Sequence, residues 1–140
     1  MKVEDCLFCK IVAKQIPARV IYEDDHVLAF LDIMPSAAGH TLVIPKEHAP
    51  GILDLADAEV APLFAAVKRV DSMLAKNLMP DGITIGINQG RASGQEVDHL
   101  HVHLVPRWKN DNGRSVQSVV SQKPEESLDA IAAKILRVVK

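Results

Sequence analysis

The chain has 140 residues, 48% hydrophobic and 24% charged, and its 16 basic and 18 acidic side chains leave a net charge of −2. That size fits one domain able to bury a core without disulfide staples, and the balance excludes a disordered chain and the concentrated positive charge of a nucleic-acid or polybasic membrane binder. No apolar run approaches the ~20 residues that span a bilayer, and the opening MKVEDCLFCK carries no secretion-signal core, so a cytoplasmic domain is expected.

In chain order, Cys6 and Cys9 come first as Cys-x-x-Cys, a spacing that suits metal ligands in a reducing compartment better than a secreted disulfide framework. A short helical turn is predicted over residues 7–14. Strands are predicted over 19–22 and 26–31, with Glu23, Asp24 and Asp25 as their turn. The run Pro35-Ser36-Ala37-Ala38-Gly39 breaks the chain before a strand at 40–44 stopped by Pro45. The clearest helix covers 57–78, where Val60, Leu63, Phe64, Val67, Val70, Leu74 and Leu78 recur at spacings of three and four, with Pro62 expected in or near the first turn. Pro80-Asp81-Gly82 ends it. A strand at 83–88, a loop at 89–96 and a strand at 97–105 stopped by Pro106 follow. Residues 107–118 read as polar and irregular, and Pro124 as the opening of a last helix with Leu128, Ile131, Ile135 and Val138 on one face. The sum is one α+β domain over 1–140, an antiparallel sheet of about five strands with one long helix and short terminal helices.

The densest chemistry lies in His99-Leu100-His101-Val102-His103-Leu104-Val105. On a strand the three imidazoles share one face, and Leu100, Val102 and Leu104 share the other, a core face. The histidine face admits three readings: a solvated surface, a metal centre, or a phosphate site. The outer two histidines stand ~13 Å apart on an extended strand, so only neighbours converge easily on one ion. In a phosphate site a neutral imidazole attacks phosphorus while its neighbours donate hydrogen bonds to the phosphoryl oxygens. His40 and the loop Ser93-Gly94-Gln95 are candidates for the extra donors. The cysteine pair is likewise open between half of a tetrahedral zinc site, two free thiols and redox chemistry, with His48 and His99 as candidate further ligands. No role is assigned to His26.

The pattern at 99–105 resembles that of the histidine triad (HIT) family of nucleotide hydrolases and transferases. PARVIYEDDHVLAFLDIMP at 17–35, GHTLVIPKEH at 39–48 and NQGRASGQEV at 88–97 extend the resemblance in order over roughly residues 6–108, leaving 109–140 as a C-terminal extension. The resemblance implies that His101 attacks the α-phosphorus of a purine nucleoside phosphoramidate or anhydride. A covalent nucleotidyl-histidine forms, and water then releases the nucleoside monophosphate. His103, His40 and His99 complete the catalytic set. Asp32 receives the ribose hydroxyls, while Asn88, Gly94 and Gln95 lie near the phosphate and leaving group. Glu96 stands where some relatives carry serine. Phe8, Ile16, Phe30, Ile33 and Leu42 form the apolar base pocket, with plain core packing as the alternative. The resemblance further implies a structural zinc on Cys6, Cys9, His48 and His99, as in bacterial members with this cysteine pair. No organic cofactor is implied. It also implies a homodimer with joined sheets and the long helix at its interface. Alternative functions are a diadenosine polyphosphate hydrolase or phosphorylase, a nucleotide-binding or protein-interacting module with little turnover, and a metal-dependent hydrolase.

Overall fold

Runs of β-branched and aromatic residues build five short strands around one long amphipathic helix. The structure, a computed structural model, describes residues 3–137. Its main elements are α1 (Leu7–Val12), β1 (Val20–Glu23), β2 (Val27–Leu31), β3 (Thr41–Pro45), α2 (Asp57–Leu78), β4 (Gly82–Gly86), β5 (Val102–Arg107) and α3 (Leu128–Ile135). The strands form one antiparallel sheet in the order β1-β2-β3-β5-β4. The α+β architecture expected from the sequence is therefore the one observed.

The sheet is covered on both faces where β2 and β3 cross it, which is why these strands read as nearly unbroken apolar runs. One face packs Val27, Ala29, Val43, Leu100, Val102 and Leu104 against Leu63, Ala66, Val67, Val70 and Leu74 of α2. The other packs Leu28, Phe30, Leu42 and Ile44 against α1, through Cys6, Phe8, Cys9 and Ile11. α2 runs through Pro62 in its second turn rather than beginning there. One missing N–H is tolerated because burial of Leu63, Ala66 and Val67 holds that turn. Met79, in the left-handed conformation at φ 49°, ends the helix by donating its N–H to the Ala75 carbonyl.

Several boundaries differ from the sequence expectation. The last strand begins at Val102, not 97, because β3 offers pairing partners only to Val102, His103 and Leu104. Residues 97–101 instead follow the path set by a bond from the Leu100 N–H to the Ala49 carbonyl at 2.6 Å. The strand also continues through Pro106. Pairing with β3 has ended by then, so β5 has only β4 beside it and one backbone donor is dispensable. The C-terminal helix starts at Leu128 rather than Pro124, since Ser127 Oγ accepts the Ala130 N–H at 3.1 Å and caps it. Leu128 and Ile135 of its expected apolar face are exposed, at 82% and 73%. Val138 lies outside the described residues.

Gly39, immediately before His40, sits at φ +86°, and a Cβ there would strike Leu78. Replacing Gly39 with Ala is expected to lower unfolding free energy in urea by about 2 kcal/mol or more, combining left-handed strain with overpacking. An unchanged midpoint would contradict this account of the turn.

Candidate active site and metal cluster

The three histidines diverge. His99 is fully buried, and its Nε2–H donates to the Pro45 carbonyl at 2.8 Å. That leaves the lone pair on Nδ1, which lies 3.3 Å from Cys6 Sγ and 3.6 Å from Cys9 Sγ. His48 Nδ1 lies 3.3 Å from Cys9 Sγ. The two thiols converge because Cys6 caps α1, its Sγ accepting the Cys9 N–H at 3.3 Å, and the i,i+3 spacing puts both on one turn. All four ligand atoms lie within 4.8 Å of one another. A tetrahedral ion with Zn–S of about 2.3 Å and Zn–N of about 2.0–2.1 Å separates adjacent S and N ligands by roughly 3.5 Å. The observed S···N separations match, and the hydrogen bond to Pro45 orients the ring as an outer-shell acceptor does. The residues present fit a metal. Burial pushes the Cys6 thiol up and holds His99 down to about 4, so the imidazole is neutral, as a ligand must be.

His101, His103 and His40 line a separate cavity of about 550 Å³. His101 Nδ1 lies 2.7 Å from the His99 carbonyl. A carbonyl only accepts, so Nδ1 carries the proton and Nε2 the lone pair. The neighbouring pair is ordered the opposite way. The Ser36 N–H donates to His40 Nδ1 at 3.0 Å, so His40 is protonated on Nε2 and donates to His103 Nδ1 at 2.9 Å. The His103 proton is thereby placed on Nε2. Burial lowers His40 and holds His103 down to about 4, which keeps both rings neutral near pH 7. The cavity thus presents one imidazole lone pair beside one imidazole N–H, the pairing a phosphoryl group requires.

Most residues expected around that centre line the same cavity: Phe8, Ile16, Phe30, Asp32, Ile33, Leu42, Asn88, Gly94 and Glu96. Phe8, Phe30 and Leu42 are also buried in the α1-side core, so pocket floor and packing are one and the same here. Ile33, 88% exposed, sits at the rim. Asp32 Oδ1 accepts the Met34 N–H at 2.9 Å, and Oδ2 lies 3.6 Å from His40 Nε2. Gly94, at φ +105°, turns the loop beside Asn88 in a conformation that favours glycine.

Two expected members lie elsewhere. His99, grouped with the catalytic histidines by the resemblance, belongs to the thiol cluster. Gln95, expected near the phosphate, is consumed in shaping the loop: Nε2 donates to the Pro50 and Val97 carbonyls at 2.7 and 3.0 Å, and Oε1 accepts the Gly90 N–H at 2.8 Å. Sequence reasoning missed Ser36, whose backbone sets the imidazole tautomers. The tight Pro35–Gly39 turn ahead of His40 was the only available sign. His26 binds Glu59 at 2.9 Å, away from the cavity.

The HIT domain family model matches residues 13–110, and the chain belongs to that family. It is 41% identical over 111 residues to the adenosine 5′-monophosphoramidase of Schizosaccharomyces pombe, covering 79% of this chain and 80% of that one. Among solved structures it resembles a HIT-family protein from Bacillus subtilis, with a TM-score of 0.86 and 36% identity over 98% of this chain and 99% of the other. A Zn-bound histidine triad family protein from Mycobacterium smegmatis has a TM-score of 0.73 and 43% identity, covering 77% and 78% respectively.

The depressed His103 value fixes the sign of one pH effect. Between pH 6.5 and about 4 the unfolded chain takes up a proton that the folded imidazole refuses, so stability is fully present above pH 6.5 and falls as the pH drops through that window. The Tm is expected to fall between pH 7 and pH 4.5, and less steeply in His103→Asn. Parallel pH profiles for the two proteins would refute the contribution.

Proposed function

We propose that this chain is a nucleotide hydrolase and nucleotidyl transferase acting at the α-phosphate of purine nucleoside phosphoramidates, with His101 as nucleophile. The observation that carries the reading is the 2.7 Å bond from His101 Nδ1 to the His99 carbonyl, which leaves Nε2 unprotonated in the cavity. Similarity to the S. pombe monophosphoramidase supports the same class of substrate.

His101 Nε2 forms a bond to the α-phosphorus as the P–N bond breaks. Its electron pair goes to the leaving nitrogen, which departs with a proton from solvent. The His101 ring then carries positive charge, and the His99 carbonyl accepting its Nδ1–H stabilises that charge. His103 Nε2–H donates to the phosphoryl oxygens. Water next attacks phosphorus, the N–P electron pair returns to Nε2, and a proton goes to solvent, releasing the nucleoside monophosphate. Phe8, Ile16, Phe30, Ile33 and Leu42 receive the base, Asp32 the ribose hydroxyls, and Asn88, Gly94 and Glu96 flank the phosphate.

Cys6, Cys9, His48 and His99 hold a zinc ion in this reading, supported by their S₂N₂ geometry and by the Zn-bound relative. Four protein ligands close the coordination shell, so the ion fixes structure and leaves no position for substrate. A homodimer with joined sheets completes the proposal. The exposure of the apolar side chains Phe64 and Leu78 on α2 and Ile85 on the edge strand β4 supports it. Among the described residues no helix is long and apolar enough to cross a membrane. A cytoplasmic location is part of the proposal.

Given adenosine 5′-phosphoramidate, the wild-type chain is expected to release AMP and to show a transient nucleotidyl adduct by intact mass after acid quench. His101→Ala should lose both, with turnover down on the order of 10³-fold or more. Turnover within a few-fold of wild type would end the nucleophile assignment. Metal analysis should find about one zinc per chain, and Cys6→Ser combined with Cys9→Ser should abolish it and lower the Tm. A metal-free wild-type protein with the same Tm as the double variant would remove the zinc.

A further inference from the structure

Among the described residues, the ionisable groups lining the catalytic cavity are Asp32, Glu96 and the imidazoles of His40, His101 and His103, with no lysine or arginine. Burial keeps His40 and His103 neutral near pH 7, so the standing charge of the cavity wall is that of two carboxylates.

These carboxylates lie on opposite sides of the reactive imidazoles. Asp32 follows β2, and its N–H donates to the His40 carbonyl at 2.9 Å. Across β5, Gly86 of β4 pairs with His103, and the same antiparallel register carried two residues further sets Asn88 beside His101. Asn88 in turn neighbours Gly94, where a Cβ would lie 3.8 Å from its Nδ2, and Glu96 follows two residues on. Asp32 and His40 therefore lie toward β2, the loop of Asn88, Gly94 and Glu96 toward β4, with His103 and His101 between them. A nucleotide with its base over β2 and β3 and its ribose at Asp32 turns the far side of its α-phosphate to that loop.

The Glu96 carboxylate is unspent. Its main-chain carbonyl accepts Arg91 Nη1–H at 2.9 Å, but Arg91 pairs with Asp98, Nη2 to Oδ2 at 2.9 Å. Among the described residues no hydrogen bond or ion pair engages the Glu96 side chain. Beyond it the cavity continues into a groove of about 370 Å³, and Leu7, Glu96 and Val97 line both. Leu7 and Val97 set a short apolar stretch beside the carboxylate. The other ionisable groups of the groove are Asp5, His48 and the Arg91–Asp98 pair.

We infer that Glu96 selects the leaving group, favouring phosphoramidates of an amine that carries a second, cationic group on a short aliphatic chain. The inference rests on the reading of His101 as nucleophile toward nucleoside phosphoramidates. The aliphatic chain lies on Leu7 and Val97, and its distal ammonium faces Glu96. His101 Nε2 bonds to the α-phosphorus as the P–N bond breaks. The electron pair goes to the departing nitrogen, which takes a proton from solvent, and the distal ammonium is unchanged. A leaving group with added negative charge meets a carboxylate at that wall and no cation in the cavity.

The test compares two adenosine 5′-phosphoramidates, N-(4-aminobutyl) and N-(4-hydroxybutyl), matched in length and different in charge, by kcat/KM of the purified full chain. Wild type is expected to favour the aminobutyl compound about threefold at low ionic strength, the scale of one exposed ion pair, and less at high salt. Glu96→Gln should bring the ratio to about one, and Glu96→Lys should invert it. Both substrates are read on the same variant, so a general loss of activity cancels from the ratio. Equal values in wild type, or a preference that survives both substitutions, would overturn the assignment. The nucleophile reading fails by a different result. If His101→Ala still releases AMP, that reading falls whatever the ratio, and a wild-type chain that cleaves neither compound overturns both.

Discussion

The site depends on the two-way commitment of residue 99. Its ring turns toward Cys6, Cys9 and the Pro45 carbonyl, and its own carbonyl holds the Nδ1 proton of His101. A fully buried imidazole is tolerated only when both nitrogens have partners, and these partners are what fix its orientation. The same thiols cap and anchor α1, which carries Phe8 between them. Phe8 meets the His101 ring edge-to-face at 5.2 Å and Phe30 at 5.5 Å. The Cys–His cluster, the pocket floor and His101 are therefore one packed unit, and a displacement of α1 moves all three.

The sheet allows this by having two unlike faces. α2 fills one with aliphatic side chains and contributes nothing to the site. The other is covered only partly by α1, and where that cover stops the histidine side of β5 is left facing the cavity. Burial alternates along β5, with Val102, Leu104 and Pro106 buried and His103, Val105 and Arg107 partly exposed. One strand thus contributes to the core and to the cavity at once.

That alternation was legible in the sequence, as were α2, the strand sequence and the identity of the thiol pair. Each rests on a local period or spacing. What local periodicity misread was set by distant partners. His-x-His-x-His looks like one continuous strand, yet the ladder starts only at Val102 because the Leu100 N–H turns to the Ala49 carbonyl instead of to β3, and His99 faces the thiols. Gln95 is expected near the phosphate by resemblance, and no local pattern foretells that its amide also reaches the Pro50 carbonyl, 45 residues away in the chain. Pro124 carried a helix-start signal, but Ser127 supplied a side-chain acceptor that proline lacks.

The polarity of the imidazoles has a similar non-local origin. A backbone N–H can only donate, so the Ser36 amide at the end of the Ser36–His40–His103 chain admits one direction of proton order. A carbonyl can only accept, so the His99 oxygen imposes the reverse order on His101. Two main-chain groups, neither of which titrates, thereby make adjacent histidines chemically unlike: a lone pair on one, an N–H on the other. Burial keeps His40 and His103 neutral, which preserves the order near pH 7. The side chains alone do not distinguish the ring that keeps a free lone pair from the ring that offers an N–H; the backbone around them does.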